Sequence, residues 1–306
     1  MKWRIKNPAP VGPRMKTWGD YHFGRSLAKY LERLGEEVQT DYHPEWDPPV
    51  EVDVVLTIRG KYPYEPKPGP INILWNISHP EDVAPAEYNK YDLIFVASRA
   101  HTERVRSQVI PPVAAMLQCT DTEECYPPDP TADRNRRGFV FVGNSRDVER
   151  PGVLWAIADG VPLQIWGNMW NKFVEKHYIM EKNLPGEERG ALYRTARMTL
   201  NDHWPDMKEF GFVNDRCFDA LACGLPLVSD YHEELHQLFP NEVLYYTNRD
   251  ELRDSFREIL LNYPDIKRRV DGLKQSILDE FSFQARAKTF LEAVRQFRSA
   301  RKPLGG

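Results

Sequence analysis

The stretch from Lys208 to Asp230, KEFGFVNDRCFDALACGLPLVSD, brings together residue types that can hold an anion and a diol. Gly211 loosens the backbone ahead of a helix, and Asn214 or Asp215 can cap that helix. A helix start leaves amides without internal partners, which makes it an anion site. Arg216 falls in the first turn, where a guanidinium fork can grip a phosphate. Asp219 lies three residues on and shares that face, where a carboxylate can accept two hydrogen bonds from a ribose diol. Ala220, Leu221 and Cys223 suit packing on a sheet, Gly224 ends the helix, and Pro226 leads into a buried strand. The same spacing also fits an ordinary Arg216–Asp219 ion pair within the helix. The order of glycine, cap, arginine, carboxylate and small residues favours the binding site.

His203-Trp-Pro-Asp-Met-Lys208 follows an apolar run ending at Asn201, so it belongs at the carboxyl end of a strand. Lys208 can reach a phosphate as a point charge, and His203 can touch a sugar or phosphate or serve as a structural histidine. Asp202 and Asp206 beside His203 are not read as a metal site. No zinc spacing, no Asp-x-Asp pair, no phosphate-binding Gly-x-x-x-x-Gly-Lys loop and no Gly-x-Gly-x-x-Gly fingerprint occurs.

The elements that must position these residues alternate strand and helix. Apolar runs at 52–58, 71–77 and 92–97 have the signature of strands buried on both faces, joined by strands at 3–7, 38–42 and 113–117. Phe23, Leu27, Tyr30, Leu31 and Leu34 recur at helical spacing over 21–34, and Gly35 closes that helix. Ser98 caps a helix over 99–108. The proline-rich and charged stretch 126–137 is the best domain boundary. Beyond it, strands are expected at 139–142, 163–166, 198–201, 226–229 and 243–246, with helices at 187–195, 214–222, 249–261, 266–281 and 283–298. This alternation predicts two doubly wound parallel α/β sheets, with ligands at the strand carboxyl ends.

The chain has 306 residues, 41% hydrophobic and 28% charged, enough for two ordinary domains. A net charge of −4 sets up no strong field for nucleic acid or membrane. The four cysteines show no pairing or metal spacing, which fits a reducing compartment. No signal peptide or membrane span is legible, so the expected location is cytoplasmic, with peripheral membrane association left open.

The 208–230 stretch resembles the glycosyltransferases of the two-Rossmann GT-B fold (glycosyl transferases group 1). It is closest to the spore-maturation-protein-like (CgeB-like) branch, whose pattern runs Asn-x-Arg-x-Phe-Glu-Ala-Leu-Ala-x-Gly. The matching positions are Asn214, Arg216, Phe218, Asp219, Ala220, Leu221, Ala222 and Gly224. The family carboxylate that binds the donor ribose is usually glutamate; here it is Asp219, one methylene shorter. A second family glutamate eight residues earlier is replaced by Gly211, so no mechanism resting on that pair carries over. Further likeness to this branch lies in Trp18-Gly-Asp-Tyr-His-Phe-Gly-Arg-Ser-Leu-Ala, Trp75-Asn-Ile-Ser-His-Pro-Glu and Tyr91-Asp-Leu-Ile-Phe-Val-Ala-Ser98. Phe141-Val-Gly-Asn-Ser-Arg146, continuing to Glu149-Arg-Pro-Gly152, is similar to the loop that opens the second domain of these enzymes. There two cations commonly contact the donor diphosphate. Arg146 and Arg150 take comparable places, as diphosphate ligands or as solvated loop arginines.

The resemblance implies a GT-B architecture of two Rossmann-like, doubly wound domains facing across a cleft. The expected divisions are an acceptor domain at 1–126, a linker at 127–138 and a donor domain at 139–282. A last helix at 283–306 returns to the first domain. The implied reaction moves a hexose-type sugar from a nucleoside diphosphate (UDP, GDP or dTDP) to a hydroxyl of a glycan, lipid or small molecule. No cofactor or metal is expected. An inverting transfer needs a base within reach of the acceptor hydroxyl, whereas a retaining one in this fold can dispense with it. His79 and Asp20 are the candidates, ahead of His22, which lies inside a helix; Asp20 is alternatively a helix cap. Rival readings are a nucleotide-sugar epimerase or hydrolase on the same fold, an inactive nucleotide-binding scaffold subunit, and a DNA-modifying transferase, the last disfavoured by the net charge. Base, sugar, acceptor, stereochemistry and oligomeric state are not legible.

Overall fold

The computed structural model of the protein describes residues 1–46, 51–129, 131, 136–181, 184 and 186–301. The chain divides into two compact units: Met1–Cys119 with everything from Glu280 onward, and Thr120–Asp279. The stretch expected as a linker, 127–138, is counted with the second unit; its residues 130 and 132–135 lie outside the described ones.

The first unit is built on strands β1 (Lys2–Pro10), β2 (Glu37–His43), β3 (Val54–Arg59), β4 (Ile71–Asn76), β5 (Leu93–Val96) and β6 (Val113–Ala115), in the order β2-β1-β3-β4-β5-β6. Every pairing is parallel. β3, β4 and β5 are buried along their whole length, as strands covered on both faces are, although Thr57, Arg59, Asn72 and Asn76 interrupt the apolar runs. Expected at 3–7, the first strand runs on through Pro8 to Pro10. It does so because the register shifts between Asn7 and Pro10, where a proline costs no ladder hydrogen bond. Helix α1 (Gly19–Arg33) buries Phe23, Leu27, Tyr30 and Leu31, and Gly35 adopts the left-handed φ of 85° that stops it. Short α2 (Pro85–Tyr88) and α3 (Arg99–Arg106) follow; the Ser98 hydroxyl caps α3 by accepting from the His101 amide.

The final helix, Phe283–Arg301, packs in this unit. Phe283 meets Phe23 with ring centroids 4.8 Å apart, and Phe290 meets Trp75 at 5.3 Å and Phe95 at 5.0 Å. Arg286 donates to the Leu117 carbonyl at 2.9 Å, and Arg298 pairs with Asp53 at 2.8 Å.

In the second unit, strands β7 (Phe139–Val142), β8 (Leu163–Trp166), β9 (Ile179–Glu181), β10 (Met198–Asn201), β11 (Leu227–Asp230) and β12 (Val243–Tyr246) form a parallel sheet in the order β12-β11-β10-β7-β8-β9. Its helices are α4 (Pro151–Ala158), α5 (Gly186–Thr195), α6 (Pro205–Glu209), α7 (Asp215–Ala222), α8 (Glu233–Leu238), α9 (Arg249–Leu261), α10 (Tyr263–Asp271) and α11 (Lys274–Glu280). The helix expected over 266–281 is two helices. The Gly272 and Leu273 amides bond three residues back, to Arg269 and Val270, and this tightening ends α10. Both units are thus doubly wound α/β folds, as the alternation predicts. Among the described residues no helix is long and apolar enough to cross a membrane.

Candidate functional site

Counted outward from β7, the second sheet runs to β8 and β9 on one side and to β10, β11 and β12 on the other. Connections leave β7 and β10 toward opposite faces, which opens a crevice outside their carboxyl ends. Arg216 marks that crevice. From the first turn of α7 its guanidinium donates to the Val142 carbonyl that ends β7 (2.8 Å) and to the Asp202 carbonyl just past β10 (3.0 Å). Those bonds use two of five N–H donors and fix the fork at the reversal point. Asn214 stands at the N-cap of α7 without making a side-chain cap, which corrects the expectation. Its Nδ2 donates instead to the Asp202 carbonyl at 3.2 Å, so the start of α7 is tied to β10.

The loops after β7 and β8 are knitted together. The Gly143 amide bonds the Trp166 carbonyl at 2.8 Å, Ser145 N bonds Asn168 O at 3.0 Å, and the Trp170 indole donates to Gly143 O at 2.7 Å. Only glycine fits at 167, where φ is 154° and a Cβ would stand 2.1 Å from the Gly143 carbonyl oxygen. In the turn 145–148, Arg146 (φ 57°) and Asp147 (φ 64°) both take positive φ, the requirement of a type I′ turn. Two non-glycine residues in that region carry backbone strain. The exposed Arg146 guanidinium lies 4.8 Å from the centroid of the half-buried Trp204 indole.

Arg150 has a different fate from the one expected of a diphosphate ligand. Only 4% exposed, it grips both oxygens of Asp202, donating through Nε at 2.7 Å and through a second short bond, and it donates to Asn144 O at 3.0 Å. Such a buried bidentate pair leaves Arg150 spent on structure. His203 is likewise buried: its Nδ1 lies 2.8 Å from Asp230 Oδ1 and its ring 4.5 Å from that of His232, so the structural alternative describes it. Burial raises the Asp230 carboxyl, but His203 and Lys208 outweigh this and hold it below the usual range. Lys208, exposed, has its Nζ 3.6 Å from Asp230 Oδ2. Burial, with His203 beside it, pushes the His232 imidazole down to about 3.

Asp219 is engaged by other side chains of its own unit. Its carboxylate is 2% exposed, accepts from the Thr120 hydroxyl at 2.6 Å and faces Arg189 Nε at 2.8 Å. Arg189 also pairs with Asp215 at 3.3 Å. The carboxylate pairs with Arg189 rather than with Arg216 of its own helix. Burial pushes the Asp219 carboxyl up to about 7, against the pull of Arg189.

In the first unit the order reverses between β1 and β3; Asp20 lies past β1, and His79 lies past β4, the strand next to β3. Asp20 sits in the first turn of α1, with Trp18 rather than Asp20 at the N-cap. A Cβ added to Gly60 would stand 3.0 Å from Asp20 Oδ1 and 3.5 Å from Ser78 Oγ, so these groups share one strand-end corner. His79 follows Ser78 in a left-handed conformation, φ 53° and ψ 53°. His22 lies within α1 and its Nε2 is 2.8 Å from the Lys16 carbonyl.

Sequence reasoning missed Trp204, and it missed the partners Asp202, Thr120 and Arg189, which lie 30 to 99 residues from the groups they hold. No local spacing signals such pairs. A cavity of about 520 Å³, lined by Cys125, Tyr126, Lys267 and Lys274, lies at the far end of α7 beside Ala222 and contains none of the expected site residues. Among the described residues no group of three or more His, Cys, Asp or Glu side chains is placed to hold a metal.

Residues 151–292 match the family model described as glycosyl transferase-like. No curated protein sequence matches the chain significantly. Among solved structures, the chain is similar to sucrose-phosphate synthase from Thermosynechococcus elongatus, at 13% identity over 98% of this chain and 99% of that one, with a TM-score of 0.72. It is also similar to HepE from Anabaena, solved in complex with UDP and glucose (11% identity, 96% and 99% covered, TM-score 0.66). T4 phage BGT, in complex with its UDP-glucose substrate, is a third (13% identity, 97% and 99% covered, TM-score 0.60). These likenesses show the fold, which is α/β of the GT-B kind.

Proposed function

We propose that the chain is a glycosyltransferase that moves a hexose-type sugar from a nucleoside diphosphate to a hydroxyl. The observation that carries this reading is Arg216, at the start of α7 and bonded to the ends of β7 and β10. It is supported by the family match over 151–292 and by the UDP and UDP-glucose held by the structural neighbours. Asn214, Arg216 and Phe218 together with Ala220-Leu-Ala222 and Gly224 favour the spore-maturation-protein-like branch.

In this reading the diphosphate lies against the first amides of α7, between Arg216, Arg146 and Lys208. As the acceptor oxygen bonds the anomeric carbon, the sugar–phosphate bond breaks and its electron pair leaves with the nucleoside diphosphate. Three cations and a helix start stabilise that charge without a metal. The acceptor hydroxyl proton passes to Asp20 or His79 if the transfer inverts. Arg150 and His203 hold the strand ends in place, and Asp219 steadies α7 through Thr120 and Arg189; the ribose diol is not assigned to it. Gly211, in the slot of a family glutamate, favours as second reading a nucleotide-binding scaffold without turnover.

Thermal unfolding with UDP, GDP, dTDP and their sugars tests the reading. One nucleotide series raising the Tm, with Arg146→Ala and Lys208→Ala reducing the shift, is the expected result. Loss of the donor sugar without any acceptor marks an epimerase or hydrolase, and binding with no turnover marks the scaffold. No shift with any nucleotide contradicts all of them.

A further inference from the structure

We infer that Trp204 is a positioning residue of the diphosphate site: its indole is the surface on which Arg146 is aimed at the strand ends. The inference rests on the donor site proposed above and assigns a role to a residue that neither the motif nor the family likeness singles out.

Trp204 is itself placed by three constraints. It follows His203 directly past β10, and His203 is anchored on Asp230. Pro205 restricts the residue before it to extended backbone, and Trp204 has φ −67° and ψ 148°, at the N-cap of α6. Arg150, immobilised on Asp202, lies with its guanidinium 4.7 Å from the indole centroid. The indole is therefore held before Arg146 arrives.

Arg146 comes from the opposite side of the reversal point, on the loop after β7. Its backbone is strained into positive φ, and the turn is closed by Ser145 Oγ donating to Val148 O at 2.9 Å. Its guanidinium then rests 4.8 Å from the same indole centroid. Trp204 thus joins the loop after β7 to the loop after β10, the two strands that flank the crevice. A ring quadrupole attracts each cation, which offsets the repulsion of two guanidinium groups gathered on one indole. Ordering a long, exposed arginine costs side-chain entropy. Prepaying that ordering is what lets a cation meet a diphosphate at low entropic cost.

The test is a double-mutant cycle on Arg146→Ala and Trp204→Ala, read by calorimetric titration with UDP and with inorganic pyrophosphate, alongside unfolding curves. The expected result is that Trp204→Ala weakens binding of both probes about 2- to 5-fold, the range of an exposed cation–π contact, and Arg146→Ala weakens it at least as much. The double variant is then no weaker than Arg146→Ala alone, because Trp204 acts through Arg146. Trp204→Phe restores most of the affinity. Effects that multiply, or a Trp204→Ala protein that binds as wild type does, overturn the inference while leaving the donor site intact. If Trp204→Ala fails to fold, the cycle is run with Trp204→Leu. A wild-type protein that binds none of UDP, GDP, dTDP or pyrophosphate overturns the donor site and this role with it.

Discussion

Arg146 and Arg150 are four residues apart and carry the same charge, yet they do opposite work. Arg150 is buried on Asp202, and removing one partner leaves the other charge buried and unpaired. Arg150→Ala is expected to cost about 3–5 kcal/mol of stability. Arg146→Ala, an exposed change that removes one cation–π contact, is expected to cost about 0.5–1 kcal/mol. Denaturant unfolding of both variants checks this, and equal costs would refute the assignment. A second consequence concerns acid. The His232 imidazole falls from an ordinary 6.5 to about 3 in the folded state, so it stabilises the fold above 6.5, and this contribution is lost as pH falls from there toward 3. His101, pushed down to about 4 by burial and Arg104, adds in the same direction. His232→Gln is expected to flatten the acid limb of a Tm-versus-pH curve between about 6.5 and 4; an unchanged limb would contradict this origin. What could be read at this scale from the sequence was residue type: Arg216 bonds the Val142 carbonyl at the end of β7 and the Asp202 carbonyl just past β10, and Lys208 lies 3.6 Å from Asp230 at the end of β11. Residue fate was not legible, because Asp202 comes from 52 residues beyond Arg150, and Thr120 from 99 before Asp219.

Among the elements, the buried strands and the α7 motif were legible because each carries its signal locally. The strands at 54–59 and 71–76 are mostly apolar and buried on both faces, and Gly224 ends α7 in the left-handed φ of 58°. Shorter elements escaped. α4 starts on Pro151 with no side-chain cap, and β9 has three residues, too few for a period to show. The break at Gly272 was missed because the apolar spacing continues across it. The final helix gives an element-scale prediction. Phe290 is fully buried against Trp75 and Phe95, so Phe290→Ala is expected to destabilise the first unit by about 3–5 kcal/mol. A loss below about 1 kcal/mol in denaturant unfolding would show that the helix is not integral to that core.

For the molecule as a whole, a TM-score of 0.72 at 13% identity to sucrose-phosphate synthase shows how little of this fold depends on particular side chains. Burial pattern and alternation carry it, which is why the architecture could be expected from the chain alone. Each unit contains one reversal of strand order; Asp20 lies past β1 at the first, and Arg216 lies at the second with Arg146 and the unforeseen Trp204. The central claim is that the second of these receives a nucleoside diphosphate. The most direct measurement is a crystal structure of the protein with the nucleotide that gives the largest thermal shift. The expected result is the diphosphate within hydrogen-bonding distance of the Arg216 guanidinium and the first amides of α7, with Arg146 still on Trp204. A nucleotide bound elsewhere, such as in the cavity beside Ala222, would contradict it.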